Sequence, residues 1–134
     1  MRYPAGMRRM ISSGSPYEDQ FGFSRAVRHG ALIHVAGTAP IWPDGSCDPD
    51  PEVQADRCFE IISEALASLG AGLGDVVRTR IFITDASVAA AVGRAHARAV
   101  GQARPAATMV VVAKLLDERW LVEIEADAVA PTAR

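Results

Sequence analysis

Cysteine is scarce in this 134-residue chain: Cys47 lies in a Pro/Gly/Asp-rich stretch and Cys58 inside a helical pattern. Two thiols so placed make neither a disulfide framework nor a zinc site, and both are expected to be reduced. Aromatic residues amount to 6%, which leaves no platform for stacking single-stranded bases. An excess of either charge is also missing. The 14 Lys and Arg against 16 Asp and Glu leave a net charge of −2, which sets up no field to draw phosphates, so no nucleic-acid partner is expected. The longest uncharged apolar run, residues 106–113, covers about eight residues where a bilayer span needs about 20, so no membrane segment is expected. The basic start around Arg8 and Arg9 has no apolar stretch behind it, so no export signal is read and the cytoplasm is the expected location. The G-x-G-x-x-G, P-loop, G-x-S-x-G and H-E-x-x-H patterns are all missing. Nucleotide, serine-hydrolase and zincin chemistries therefore receive no local support, and no cofactor is expected.

What is present is core material. Hydrophobic residues make up 49% and charged ones 22%, the balance of one folded domain spanning residues 1–134, with 1–7 expected to be flexible. Residues 23–39 read as two β segments meeting at His29-Gly30, where glycine supplies the backbone freedom of a hairpin turn. Residues 40–51 are loop by their prolines and Asp44-Gly45. Ala55, Cys58, Phe59, Ile62, Ala65, Leu66 and Leu69 recur at three- and four-residue steps, one buried helix face that Gly70 and Gly72 stop. Residues 75–85 alternate, with Val77, Thr79, Ile81 and Ile83 on one side and Arg78, Arg80, Phe82 and Thr84 on the other. Residues 87–100 form an Ala-rich second helix, Pro105 blocks its continuation, and residues 108–113 and 121–129 are strands. A short strand is expected over 8–12.

That order implies an α+β domain with two helices on one face of a mixed sheet of about six strands. Two helices leave the other face, with Arg78, Arg80, Glu123, Glu125 and Asp127, open to water unless a second subunit covers it. Glu123, Glu125 and Asp127 stand about 7 Å apart along one strand and repel one another. Arg78 and Arg80 are the candidates to neutralise Glu125 and Asp127 across the sheet. Glu123 admits two readings: another such ion pair, or a carboxyl held in a partly dry cleft with its pKa raised towards neutrality. No His/Asp spacing supports a metal. His29, His34 and His96 are each more often satisfied or exposed histidines than bases.

Several strings give the chain a specific likeness. Ser15-Pro16-Tyr17, the segment 32–40 (Leu-Ile-His-Val-Ala-Gly-Thr-Ala-Pro), the helix ending 69–79, Arg104-Pro105-Ala106-Ala107-Thr108-Met109-Val110 and Leu121-Val122-Glu123-Ile124-Glu125-Ala126 together resemble the RidA/YjgF family, also called L-PSP endoribonuclease-like. The resemblance runs from about Ser13 to Val129. It implies a chorismate-mutase-like fold assembled as a homotrimer, with small-molecule clefts between subunits. In the family's deaminating branch that cleft hydrolyses 2-aminoacrylate or its imine tautomer. By this resemblance Tyr17 lines the cleft as a positioning hydroxyl, the Gly37 backbone approaches the ligand, Thr108 sits where the family has a small hydroxyl residue, and Glu123 orients or activates the hydrolytic water.

The likeness also shows departures. The arginine that grips the substrate carboxylate falls at Ala107, the family's cysteine at Met109, and its cleft asparagine at Gly93. Standard 2-aminoacrylate deamination is therefore not carried over. Arg104, Arg25 and Arg119 are candidates for a substitute cation, Arg104 first because it adjoins the same loop. The implied function is a trimeric protein acting on a small reactive enamine, imine or related carbonyl metabolite. The alternative is a non-catalytic metabolite-binding protein with the same cleft, and a weaker one is the endoribonuclease activity attached to parts of the family.

Overall fold

The computed structural model describes residues 7–131; the segment 1–6 of the stretch expected to be flexible lies outside them. Six strands form one sheet: β1 (Arg8–Ile11), β2 (Ala26–His29), β3 (Leu32–Thr38), β4 (Val76–Ile83), β5 (Ala106–Val111) and β6 (Val122–Val129), in the order β1-β2-β3-β6-β4-β5. All neighbours are antiparallel except β4 and β5. That parallel pair needs a crossover, which helix α3 (Ala89–Val100) supplies. Together with α2 (Pro51–Ser68) it covers one face of the sheet, so the mixed six-stranded α+β architecture follows the sequence reading.

Local chemistry explains α2. Asp50 caps it, its carboxylate accepting from the Glu52 and Val53 amides, and Pro51 occupies the first turn, where its missing N–H costs nothing. The stripe Ala55, Cys58, Phe59, Ile62, Ala65 and Leu66 is buried against the sheet, each larger member contributing about 1.5–3 kcal/mol on leaving water. At its far end the buried Arg28 donates to the Leu69 carbonyl at 2.6 Å and the Gly30 carbonyl at 2.8 Å. A cation is favourable beside the unpaired carbonyls of a helix C-terminus. On β6, Val122, Ile124, Ala126 and Ala128 face the helices and are buried, as the alternation requires.

Two elements differ from the sequence reading. A further helix, α1 (Pro16–Phe21), precedes β2. Its residues carry no apolar period; it is held by the Ser15 cap, the left-handed Gly22 at φ 75° and hydrogen bonds from the Ser13 amide and hydroxyl to Glu18. Second, Val77 is exposed rather than in line with Thr79, Ile81 and Ile83. The β4–β6 register shifts between Val76 and Arg78, and this irregularity gives the buried position to Val76 instead. Among the described residues no helix is long and apolar enough to cross a membrane.

Candidate functional site

The open face of the sheet is a charged surface. Arg80 donates to Glu125 at 3.3 Å and to Asp127 at 3.1 Å, and His34 Nδ1 lies 2.7 Å from Asp127. Arg78 donates instead to the Thr108 hydroxyl at 3.3 Å. The expected neutralisation of Glu125 and Asp127 is thus carried by Arg80. Over β1, β2, β3 and β6 this face forms a cleft of about 690 Å³, roofed by Glu18, Asp19, Gly22 and Phe23 from α1 and the turn after it, with Ala36, Glu125 and Asp127 on its floor.

Glu123 is the next open-face position along β6, and it differs from its two neighbours. It takes no part in the Arg80 pairing. Burial pushes its carboxyl above the usual carboxylate range; the attraction of Arg25 works against this and the repulsion of Glu125 adds to it. A half-buried acid with a raised pKa keeps its proton to higher pH than a free carboxyl does.

Gly37 explains how the carboxyl fits. Between Val35 and Thr38 the β3 chain advances three residues while β6 advances two, from Ala126 to Ile124. The extra residue makes a β-bulge at Ala36 and Gly37, the kind of irregularity that re-aims groups beside a site. A Cβ on Gly37 would stand 2.5 Å from Glu123 Oε2, well inside contact distance. The glycine is therefore needed for proximity: the carboxylate lies on the bare backbone.

The bulge also turns two carbonyls towards Arg25. Arg25 Nη2 donates to Ala36 O at 2.8 Å and Gly37 O at 2.7 Å, while Nε is buried with no acceptor. An unpaired buried donor costs about 1–3 kcal/mol. Burial lowers the Arg25 pKa, and the charges of Glu18 and Glu123 raise it. Glu18 is itself buried. Burial disfavours its charge, but hydrogen bonds from Ser13, with a smaller pull from Arg25, hold its carboxyl below the usual range. Of the three arginines considered from sequence, Arg25 is the one whose charge acts on Glu123. Arg104 follows α3 in a left-handed conformation, φ 55°, and Arg119 is engaged by Asp117 at 2.9 Å.

The remaining residues singled out from sequence are not gathered around Glu123 within one chain. Tyr17 is 60% exposed on α1 and stacks on Phe21, ring centroids 5.9 Å apart; it is not among the residues lining the cleft, whereas Phe23 is. Thr108 lies on β5 opposite Arg80, so β4 separates it from β6. Met109 packs against the core, and Ala107, two residues earlier on the strand, shares its face. β5 is the sheet edge, its outer side unpaired among the described residues and its chain largely exposed. Within one chain Gly37 and Glu123 are thus apart from Ala107, Thr108 and Met109 on the β5 edge.

The residues missed from sequence are Glu18 and Phe23, together with the part Arg25 plays. Ser15-Pro16 ahead of two acidic residues was a readable helix start; nothing local signals that Arg25 meets Glu123. No group of three or more His, Cys, Asp or Glu among the described residues is arranged to hold a metal ion.

Comparison with known proteins gives consistent matches. The Endoribonuclease L-PSP family profile matches residues 17–130. An uncharacterised protein of Streptomyces coelicolor is 40% identical over 121 residues, covering 90% of each chain. A RutC family protein of Pyrococcus abyssi is 32% identical over 108 residues, 79% of this chain and 84% of its own. Among solved structures, a member of the YjgF/YER057c/UK114 family from Mycobacterium tuberculosis superposes with a TM-score of 0.85 at 46% identity, covering 92% of this chain and all of that one (100%).

Proposed function

The chain belongs to the Endoribonuclease L-PSP (YjgF/RutC) family, and from that premise we propose that it acts on a small reactive enamine, imine or related carbonyl metabolite in clefts between the subunits of a homotrimer. Family membership supports a role in handling small molecules. The observation that carries the finer reading is Glu123: a half-buried carboxyl with a raised pKa, lying on the bare backbone of Gly37 beside an arginine. In the proposed reaction water adds across the C=N bond. Glu123 takes a proton from the attacking water and passes it to the imine nitrogen, giving a carbinolamine; the hydroxyl proton of that adduct then follows by the same carboxyl to the nitrogen as the C–N bond breaks, leaving a carbonyl product and ammonia. The separation of Gly37 and Glu123 from the β5 edge supports an inter-subunit cleft, in which the β5 edge of a second copy, with Ala107, Thr108, Met109 and Arg104, and Tyr17 as a positioning hydroxyl, completes the pocket.

The test uses imines generated from amino acids by an amino-acid oxidase, with ammonia release followed in the presence and absence of the protein. Glu123→Gln is expected to lower the acceleration about 100-fold, the lower range for a lost general base, while sedimentation still reports a trimer. Equal rates for both proteins overturn the assignment. A second reading, metabolite binding without turnover, rests on Ala107, which puts a methyl group where the family resemblance implies a guanidinium. An undegraded ligand co-purifying with the protein, and no imine turned over, would favour it. RNA cleavage fits least, because a net charge of −2 and an aromatic content of 6% offer a nucleic acid neither an attractive field nor a stacking platform.

A further inference from the structure

We infer that Arg25 is a positioning residue for Glu123: its guanidinium locks the β3 bulge on which the carboxylate lies, and holds a positive charge beside that carboxylate without binding it. The inference rests on the reading of Glu123 as the proton-transferring group and adds the residue that keeps it in place.

The bulge is held from two sides. Arg25 stands just before β2, where its amide donates to the Ile11 carbonyl at 2.9 Å and its carbonyl accepts from the Ala36 amide at 3.0 Å. Its side chain then comes back to the same strand, Nη2 donating to Ala36 O at 2.8 Å and to Gly37 O at 2.7 Å. Along a regular strand the pleat turns successive carbonyls to opposite edges; the bulge lets both converge on one nitrogen. The Thr38 hydroxyl also donates to Ala36 O, at 2.8 Å, so both lone pairs of that carbonyl are used. Glu123 Oε2 lies over Gly37, the residue whose carbonyl Arg25 holds. Fixing that carbonyl fixes the surface on which the carboxylate rests.

The acceptors show what the arginine is for. Nη2 is committed to neutral backbone oxygens and Nε is buried with no acceptor, so the cation acts on Glu123 through space. A guanidinium fork directly on the carboxylate would pin it as an unreactive anion, and burial alone favours the protonated form, which is no base. A charge held off the carboxylate opposes burial only in part. The other groups around Glu123 supply no such balance. Glu125 along β6 repels it, burial keeps the Cys58 thiol of α2 neutral, and β4 sets the uncharged Phe82 opposite. Glu18 of α1 acts on Arg25 and is itself held by Ser13.

The experiment follows the Glu123 carboxyl by carbon-13 NMR against pH, its signal assigned through Glu123→Gln, and in parallel the pH profile of kcat/KM for imine hydrolysis. Arg25→Met removes both the clasp and the charge, whereas Arg25→Lys restores the charge without the planar fork. In Arg25→Met the carboxyl midpoint and the acidic limb of the profile are expected to move together to higher pH, because the attraction favouring the anion is gone. The plateau should fall about 100-fold, the effect of a displacement of about 1 Å. Arg25→Lys should return midpoint and limb towards wild type while most of the plateau loss stays. A purely structural arginine would lower the plateau and leave midpoint and limb unmoved in both variants, and that result overturns the inference. Should Arg25→Met fail to fold, the wild-type protein answers directly. Its Arg25 guanidinium nitrogens should titrate with the midpoint of the Glu123 carboxyl, and that step should vanish in Glu123→Gln; a step that persists there refutes the coupling. Midpoint shifts without any turnover remove the hydrolytic reading alone, and turnover with an unmoved midpoint removes this one alone.

Discussion

Replacing Gly37 by alanine separates proximity from stability. The backbone at Gly37 is not in the left-handed region, so alanine is conformationally allowed; what it meets is Glu123, with Oε2 at 2.5 Å and Cδ at 3.4 Å from the new methyl. Ordinary contact begins near 3.5 Å, so the carboxylate must retreat by about 1 Å. It can, because the clashing atom is the end of a side chain with several torsions; turning one about 30° off its minimum costs about 0.5–1.5 kcal/mol. Alanine in place of glycine returns about 0.4–1 kcal/mol by restricting the unfolded chain. The two nearly cancel, and the melting temperature should move by no more than a few degrees, since about 1 kcal/mol corresponds to about 4 °C in a domain between the 60–100 and 150–250 residue classes. A 1 Å misplacement of a catalytic group can cost about 100-fold in rate. The assay pairs calorimetric melting with kcat/KM for imine hydrolysis. A protein that keeps its melting temperature and loses most of its activity supports the geometry. Full activity refutes the claim that Glu123 must lie on the bare backbone, and a drop of more than about 10 °C would show that the glycine serves the bulge instead.

Three further outcomes rest on the same structure. Because burial raises the Glu123 pKa in the folded state, the folded form holds that proton more tightly than the unfolded one. The stabilisation this gives is fully present below the unfolded value and lost as pH rises through the folded value. Glu123→Gln should therefore raise the melting temperature at pH 7 relative to wild type, with the gain shrinking at pH 4; a gain independent of pH refutes this. Arg80→Met should remove the partner of Glu125 and Asp127 and cost at most about 1 kcal/mol in urea unfolding, because Arg80 is 43% exposed and its pairs are screened; a loss above about 3 kcal/mol would mean the pair is desolvated. The Cys58 thiol is fully buried, is pushed up by that burial and donates to the Thr38 carbonyl at 3.2 Å. A thiol reagent should modify at most Cys47 in the native protein, and rapid labelling of both would show the core to be open.

The sequence was readable where one period persisted. α2 shows its buried face in seven apolar residues at helical spacing, and β6 shows both faces by strict alternation from Val122 to Ala128. Where backbone register changes, pattern reasoning fails. Simple alternation puts Val77 inward, because no side chain announces the irregularity between Val76 and Arg78. The bulge at Ala36 and Gly37 is equally silent, although Gly37 itself could be picked out by family likeness. α1 is silent to pattern reasoning because six residues fixed by a serine cap and a glycine carry no apolar period. In the site, Glu123 stands out by its place in a row of three carboxylates, whereas only nearness along the chain ranks the arginines in the sequence. Nearness favoured Arg104, but strand pairing brings Arg25 and the Glu123 carboxylate to the same bulge from opposite ends of the sequence.

The outer edge of β5 has a consequence for handling the protein. Ala106, Ala107, Thr108, Met109, Val110 and Val111 contain no charge and no proline, the residues by which solitary strands ordinarily discourage adhesion to one another. Left bare, such a ribbon is a template for indiscriminate zippering between chains. Dilution or mild denaturant should accordingly bring turbidity before it brings unfolding, and a lysine grafted at Val110 should delay the clouding.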